Sequence, residues 1–391
     1  MPATSGMRTS VLLVHAAFVI TGAVTTLLGP MLPMLSARWH LNDYEAGYFF
    51  TAQFLASLIT AAISGVFISR FGYRWTLFCS LVLMAIGMSM LDQKSWQTGM
   101  TAVFIYGAGF GLSTPTGNLL IAELNPDNRA AALNLVNFSW GLGAVGVPVA
   151  IAALQRQGHT TSVTYLIAII TGALALIVAS AKFDTSSTTS HAAKAVAPEN
   201  IPAERKLYLA FILCVLFFTY VGTEASIGGW VASHARRVNF GVGTFWALMP
   251  SIYWGALLLG RASAPLVLKK MKETRLAIVG LAVALIGVSV IFAAHSLQWL
   301  ALGTGLAGLG MSSIFPANLS LLAQWFGSKA PRVGSLAFPS ASLGGAVLPW
   351  LVGFISLYAG SLQRGLLVPL CGVALMLVLH MTHSAASMRE S

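Results

Sequence analysis

The chain has 391 residues, of which 57% are hydrophobic and only 8% are charged. A soluble globular domain carries roughly a quarter charged residues, so this composition excludes a soluble fold and indicates that the main solvent is lipid. The 22 Lys and Arg residues outnumber the 11 Asp and Glu residues, which gives a formal net charge of +11. Because the basic residues lie between apolar blocks, they indicate membrane orientation and not nucleic-acid binding.

Apolar blocks follow one another along the whole sequence, and a membrane span needs about 20 such residues. Six are predicted in the first half, near 11–35, 46–69, 75–90, 97–122, 130–154 and 163–181. Six more are predicted near 207–233, 243–268, 276–294, 297–325, 333–359 and 366–383. The sequence therefore predicts an all-α integral membrane protein with 12 transmembrane helices in two six-helix halves. We expect an N-terminal bundle at 1–181, a cytoplasmic linker at 182–206 and a C-terminal bundle at 207–391.

Basic residues are dense in every second connection between the predicted helices and sparse in the others. The positive-inside rule assigns the basic face to the cytoplasm. This predicts a multi-pass protein of the cell inner (plasma) membrane, with both termini and the linker in the cytoplasm.

The two halves repeat at an offset of about 200 residues. Gly22 recurs as Gly222, and GNLL at 117–120 recurs as ANLS at 317–320. GLGAVGVP at 141–148 recurs as SLGGAVLP at 342–349. A repeat of this kind is typical of secondary transporters with a substrate site at the midplane between the two halves.

The loop after the second predicted helix reads GVFISRFGYR, with Gly65, Arg70, Gly72 and Arg74. This loop resembles the G-x-L-x-D-R-x-G-R-R loop of the major facilitator superfamily, and the resemblance extends over essentially the whole chain. Ser69 stands where the family has an aspartate. The resemblance implies a transporter that can work as a monomer, with Arg70 and Arg74 at a cytoplasmic gate.

The seventh predicted helix, YVGTEASIGGW at 220–230, resembles the fucose/glucose/galactose cation symporter branch through its Gly-x-Glu element. Asn118 matches an asparagine typical of that branch, whereas Leu28 stands where an asparagine is common in the first helix. The resemblance implies that the substrate is a small neutral sugar that moves together with a cation.

Glu224 lies well inside the apolar seventh helix, where an ionised side chain costs several kcal/mol unless it is protonated or paired. It is the first predicted proton-coupling residue, and Glu123 at the end of the fourth helix is the second. A structural hydrogen bond to a neighbouring helix, or a sodium ion held with hydroxyl and carbonyl oxygens, is the alternative role for Glu224. Arg261 in the eighth helix is predicted to close a gate or to extend to the interface.

A neutral solute with many hydroxyl groups is bound by amides and by aromatic faces that stack on its C–H surface. The residues of this type inside predicted spans are the candidate substrate contacts, with helix packing or a place at the lipid interface as the alternative role for each. They are Gln53, Asn118, Asn134, Asn137, Trp140, Trp230, Tyr253, Trp254 and Asn318.

Motifs of enzymes and of ATP-driven pumps are missing from the sequence. It has no G-x-x-x-x-G-K-[ST] loop, no nucleophile elbow and no His, Cys or Asp cluster with metal-ligand spacing. We therefore expect no enzymatic activity, no metal and no cofactor, and a proton or possibly a sodium ion as the coupling ion.

These features predict a secondary active transporter that moves a hexose such as glucose inward with a proton, by alternating access. One alternative is a proton-coupled exporter of a drug-like or other organic solute. The other is a membrane sensor or scaffold that does not transport. A large apolar cavity would favour export, and several amides converging near Glu224 would favour sugar.

Overall fold

A computed structural model describes residues 5–92, 95–156, 162–181, 203–238 and 243–389. Within these ranges all regular secondary structure is helical and no strand occurs. This follows from the apolar composition, because in lipid each backbone N–H and C=O group has to find its partner inside its own segment. The greater part of the predicted linker, residues 182–202, lies outside the described residues.

The first compact unit falls within Met1–Leu41 and Tyr48–Ser190. Its helices are α1 (Ser5–Thr26), α2 (Leu28–Trp39), most of α3 (Asp43–Met90), α4 (Trp96–Leu124), α5 (Arg129–Arg156) and α6 (Ser162–Ser180).

The second compact unit falls within Asn42–Gly47 and His191–Ser391, so it includes the first turn of α3. Its helices are α7 (Ala203–Val238), α8 (Met249–Leu268), α9 (Glu273–Ala293), α10 (Leu297–Met311), α11 (Ile314–Phe326), α12 (Ala330–Ala359), α13 (Leu362–Gly365) and α14 (Leu367–Arg389).

Ten helical segments of the described chain are long and apolar enough to cross a membrane. One of them, the 48-residue α3, contains two of the predicted spans, which are separated where Gly72 takes the non-helical angles φ 77° and ψ 168°. The 29-residue α4 is a further helix of spanning length and contains Pro115. All 12 predicted spans are therefore helical in the described part of the chain, and the predicted fold class is confirmed.

The sequence repeat corresponds to the same helix crossing in each unit. In the first unit α5 packs on α1 so closely that a Cβ atom added to Gly143 would lie 1.9 Å from the carbonyl oxygen of Val19. In the second unit α12 packs on α7, and a Cβ atom added to Gly344 would lie 1.9 Å from the carbonyl oxygen of Phe218. Glycine is required at both crossings, because apolar helices in lipid associate through close backbone approach.

Candidate functional site

Glu224 lies within α7, and 15% of its side chain is exposed. Its Oε1 atom accepts a hydrogen bond of 2.7 Å from the hydroxyl group of Tyr220. The two residues are four positions apart and therefore share one face of the helix. The Nη2 atom of Arg261, on α8, lies 3.5 Å from the same carboxylate oxygen.

Tyr220 connects the two charged groups. Its side chain is fully buried, and its hydroxyl oxygen accepts a hydrogen bond of 3.2 Å from Nη2 of Arg261 while its proton is donated to Glu224. The hydrogen bonds therefore run from the guanidinium of Arg261 to the phenol of Tyr220 and from the phenol to the carboxylate of Glu224. We call Glu224, Tyr220 and Arg261 the α7–α8 triad.

The two charges of the triad have opposite sign and sum to zero. An isolated charge at membrane depth costs several kcal/mol, and each ion lowers this cost for the other. Loss of either partner leaves an uncompensated charge. A proton on Glu224 has the same effect, because it leaves Arg261 without its counter-ion. The net charge of the triad therefore depends on whether Glu224 carries a proton.

Tyr253 and Trp254 precede Arg261 on α8. Tyr253 is fully buried and lies within electrostatic range of Glu224, Tyr220 and Arg261, and its hydroxyl group has no hydrogen-bond partner among the described residues. The rings of Tyr253 and Trp254 meet edge to face with centroids 5.0 Å apart. The triad therefore borders an aromatic surface that carries one unsatisfied hydroxyl group.

Two other predicted contacts of the second unit make interhelical hydrogen bonds. Asn318 has no exposed surface, and its Oδ1 atom lies 3.1 Å from Nε2 of His380 on α14. Trp230 is also buried, and its indole N–H donates a hydrogen bond of 2.8 Å to the carbonyl oxygen of Pro349 on α12.

Gln53, in the first unit, is buried between two helices. Its Nε2 donates to the carbonyl oxygen of Thr25 at 3.1 Å, and its Oε1 accepts from the hydroxyl group of Tyr106 at 2.9 Å. These bonds connect α3 with α1 and α4, so they fix the side-chain amide in one orientation.

The predicted asparagines of α4 and α5 are more accessible than Gln53. Asn118 is half-buried, whereas Asn134 and Asn137 are exposed. Nδ2 of Asn137 lies 3.5 Å from Oδ1 of Asn118 and donates a bond of 2.8 Å to the carbonyl oxygen of Leu133. Trp140 follows one turn later on α5 and is half-buried.

Arg70 and Arg74 flank the break in α3, where each guanidinium lies over a neighbouring aromatic ring. In the same turn the hydroxyl group of Tyr73 donates a short hydrogen bond to Oε1 of Glu123. Glu123 is exposed at the end of α4, in contrast to the largely buried Glu224. The structure thus gives Glu123 a contact that holds the turn against α4.

A second charged cluster of the second unit surrounds Asp43 at the start of α3. Arg237 on α7 binds its carboxylate with two N–H groups, one of them at 2.8 Å, and the hydroxyl group of Ser356 on α12 donates to it as well. Asn42 and Glu45 cap this helix start reciprocally, with bonds of 2.9 Å and 3.0 Å. Arg237 and Ser356 are not among the residues predicted from the sequence.

Tyr220 is the residue of the triad that the sequence analysis does not single out. The segment YVGTE places a tyrosine one helical turn before the buried acid, and this spacing is a usable signal for a hydrogen bond. The contact between Arg261 and Glu224 joins different helices, and neither helix alone indicates it.

The apolar helices of spanning length define the class of protein as a multi-pass membrane protein. Residues 14–297 match the sequence profile of the Major Facilitator Superfamily. The chain belongs to this superfamily of transporters. The predictions that it is a membrane transporter and not an enzyme are therefore confirmed.

Similar proteins span nearly the whole chain. A glucose/mannose transporter of Bacillus subtilis is 24% identical over 366 residues, which cover 89% of this chain and 88% of that protein. Sodium-dependent glucose transporter 1A of Mus musculus is 23% identical over 87% of this chain and 88% of its own.

Solved structures share the fold. A bacterial homologue of the human lysosomal transporter Spinster has a TM-score of 0.78 at 13% identity, with 99% of this chain and 98% of that chain covered. A D-xylose–proton symporter has a TM-score of 0.77 at 15% identity, with 96% and 97% covered.

Proposed function

We propose that the protein is a secondary active transporter that carries a small neutral sugar, a hexose such as glucose, together with a proton. The observation that carries this proposal is the α7–α8 triad, a carboxylate within a membrane span with an internal counter-ion 3.5 Å away. Such a group can bind one proton and release it as transport proceeds, which couples the solute to the proton gradient.

The names of the relatives support a sugar as the solute. The similar proteins of Bacillus subtilis and mouse are described as glucose transporters, and one structure with the same fold is a xylose–proton symporter. The zero net charge of the triad also favours a neutral solute, because an ionic solute would disturb the pairing of Glu224 with Arg261. These points agree with the fucose/glucose/galactose symporter branch.

The contacts of Glu224 favour a proton over sodium as the coupling ion. A sodium ion at this carboxylate would lie beside the guanidinium of Arg261, which repels it and already supplies the positive charge. Oε1 also has the hydroxyl group of Tyr220 as a donor at 2.7 Å. A proton needs no such coordination shell, because it binds to one carboxylate oxygen.

The remaining parts of the proposal concern the solute contacts and the surroundings. We retain the amide and aromatic residues predicted from the sequence as solute contacts, and Arg70, Arg74 and Arg261 as gate residues. The protein is proposed to act as a monomer in the lipid bilayer of the cell inner membrane, with both termini in the cytoplasm. It requires no cofactor besides the coupling ion.

Labelled D-glucose uptake into proteoliposomes tests this function. With an inward proton gradient we expect accumulation of glucose that disappears when an ionophore collapses the gradient. A matched sodium gradient without a proton gradient should give no accumulation. Uptake driven by sodium alone would overturn proton coupling, and no uptake by folded, inserted protein would overturn glucose as the solute.

Asn118 and Asn318 occupy equivalent positions of the two repeats and give a second test. Asn118→Ala should raise the half-saturation concentration for the solute about fivefold, because a hydrogen bond to the solute contributes about 1 kcal/mol. Asn318→Ala should also lower the melting temperature, because it removes a buried hydrogen bond to His380 on another helix. Unchanged half-saturation in either variant would assign that residue to helix packing.

The exporter of a drug-like solute remains the second candidate function. It is favoured by the buried aromatic pair of Tyr253 and Trp254 beside the triad, and by the polar contacts of Glu224 with described residues, which are made by Tyr220 and Arg261 and by no amide. Uptake of an organic cation or lipophilic dye into inverted vesicles, with no glucose uptake in the matched experiment, would support export over sugar symport.

A further inference from the structure

We propose that Tyr220 is a positioning residue that keeps Arg261 from closing directly onto Glu224, and that it thereby keeps the carboxylate able to accept a proton. This inference rests on the proposed function, since it concerns how Glu224 exchanges its proton. It assigns a separate role to a side chain that carries no charge and that the sequence analysis does not identify.

The phenol of Tyr220 lies between the two charged groups. The phenol oxygen lies 2.7 Å from Oε1 of Glu224 and 3.2 Å from Nη2 of Arg261, whereas the two charged atoms are 3.5 Å apart. A direct hydrogen bond between an ionised donor and an ionised acceptor is about 2.7–2.9 Å long. The ion pair is therefore longer than a direct bond, and the phenol bridges it.

The hydroxyl group of Tyr220 bonds to both charged groups. A phenol has one proton to donate and lone pairs to accept, so it can serve both charged groups at once. When Glu224 becomes protonated, its oxygen becomes a weaker acceptor and the phenol proton is released to rotate. Arg261 then loses its counter-charge without breaking a direct bond to the carboxylate.

Glu224 has polar contacts with Tyr220 on the same helix and with Arg261 on α8. Tyr253, also on α8, lies close enough to interact with the charge of Glu224. The hydroxyl group of Tyr253 makes no hydrogen bond to a described residue, whereas that of Tyr220 makes two. Tyr253→Phe is therefore a matched control for Tyr220→Phe.

Carbodiimide labelling measures protonation of Glu224 without any solute. Dicyclohexylcarbodiimide reacts with protonated carboxyl groups in apolar surroundings, and mass spectrometry locates the modified residue. The rate at Glu224 is measured in the purified full-length protein over a range of pH and divided by its maximum at acidic pH. Glu224→Gln serves as the blank for the modified peptide.

Tyr220→Phe should lower the normalised labelling rate of Glu224 about sevenfold at a fixed pH above the midpoint of the labelling profile. The guanidinium then replaces the phenol as donor, and shortening the ion pair from 3.5 Å to about 2.8 Å favours the ionised carboxylate by that factor at an effective dielectric constant of about 20. Tyr253→Phe should leave the labelling profile unchanged, whatever its effect on the half-saturation concentration.

The Arg261→Met variant provides a second background, in which Tyr220→Phe should change the labelling rate in the opposite direction. In Arg261→Met no cation can close onto Glu224, so adding Tyr220→Phe only removes a donor and should raise the labelling rate. The same direction in both backgrounds, or an unchanged rate in Tyr220→Phe alone, would overturn the positioning role. If Arg261→Met does not fold, the comparison of Tyr220→Phe with Tyr253→Phe decides the question.

The labelling result is separable from the identity of the solute. Absence of glucose uptake together with a labelling shift of about sevenfold would refute the proposed substrate and support the role of Tyr220. Proton-driven glucose uptake with no labelling shift would support the proposed function and refute the role of Tyr220.

Discussion

Glu224→Gln should reduce proton-driven accumulation of the solute at least tenfold and preserve exchange of labelled for unlabelled solute. Glutamine has nearly the same shape and keeps an oxygen that can accept from Tyr220, so it mimics protonated Glu224, which also leaves Arg261 without its counter-ion. It cannot bind and release a proton, so the proton gradient no longer acts on the solute. Accumulation and counterflow exchange in the same proteoliposome preparation measure the two activities separately.

The second predicted proton-coupling residue provides the comparison for this experiment. Glu123 is exposed and its carboxylate accepts a hydrogen bond from Tyr73, so Glu123→Gln should retain most of the accumulation. Full accumulation in Glu224→Gln would remove Glu224 from the coupling mechanism. Loss of accumulation in Glu123→Gln alone would transfer the coupling role to Glu123.

The membrane-spanning helices could be predicted from the sequence because lipid imposes one length and one composition on each of them. Their ends are less predictable, and α3 shows why. Two predicted spans form one 48-residue element because the connection at Gly72 is a single non-helical residue and not a loop. The basic residues Arg70 and Arg74 mark the place of this connection in the sequence, but not that a single non-helical residue forms it.

The buried acid of the candidate site could be predicted for the same reason, since an ionisable residue in an apolar run stands out. Its partners are less visible in the sequence. Arg261 is 37 positions away on another helix, and Tyr220 is one of 9 tyrosines with no charge to mark it. The bidentate pair of Asp43 with Arg237 joins residues 194 positions apart, and only the folded chain brings them together.

Gly143→Ala should destabilise the folded protein by about 3 kcal/mol, the upper part of the range for an overpacked core. The new methyl group would lie 1.9 Å from the carbonyl oxygen of Val19, and backbone atoms cannot move away as a flexible side chain can. α1 and α5 would therefore have to separate. Thermal unfolding in detergent, followed by tryptophan fluorescence, measures the loss as a lower melting temperature.

Gly146→Ala, one turn away on α5, is the matched control. A Cβ atom at this position has nothing within 4 Å, and alanine favours the helix over glycine by up to about 1 kcal/mol. Its melting temperature should therefore equal or exceed that of the wild type. Equal melting temperatures for the two alanine variants would mean that the α1–α5 crossing tolerates wider spacing than the structure shows.

Gly344→Ala extends the test to the second unit. A Cβ atom added to Gly344 would lie 1.9 Å from the carbonyl oxygen of Phe218, the same distance as at the α1–α5 crossing. If the internal repeat reflects a shared packing requirement, Gly143→Ala and Gly344→Ala should lower the melting temperature by similar amounts. A large loss in one unit and none in the other would mean that the repeated glycines support different packing in the two units.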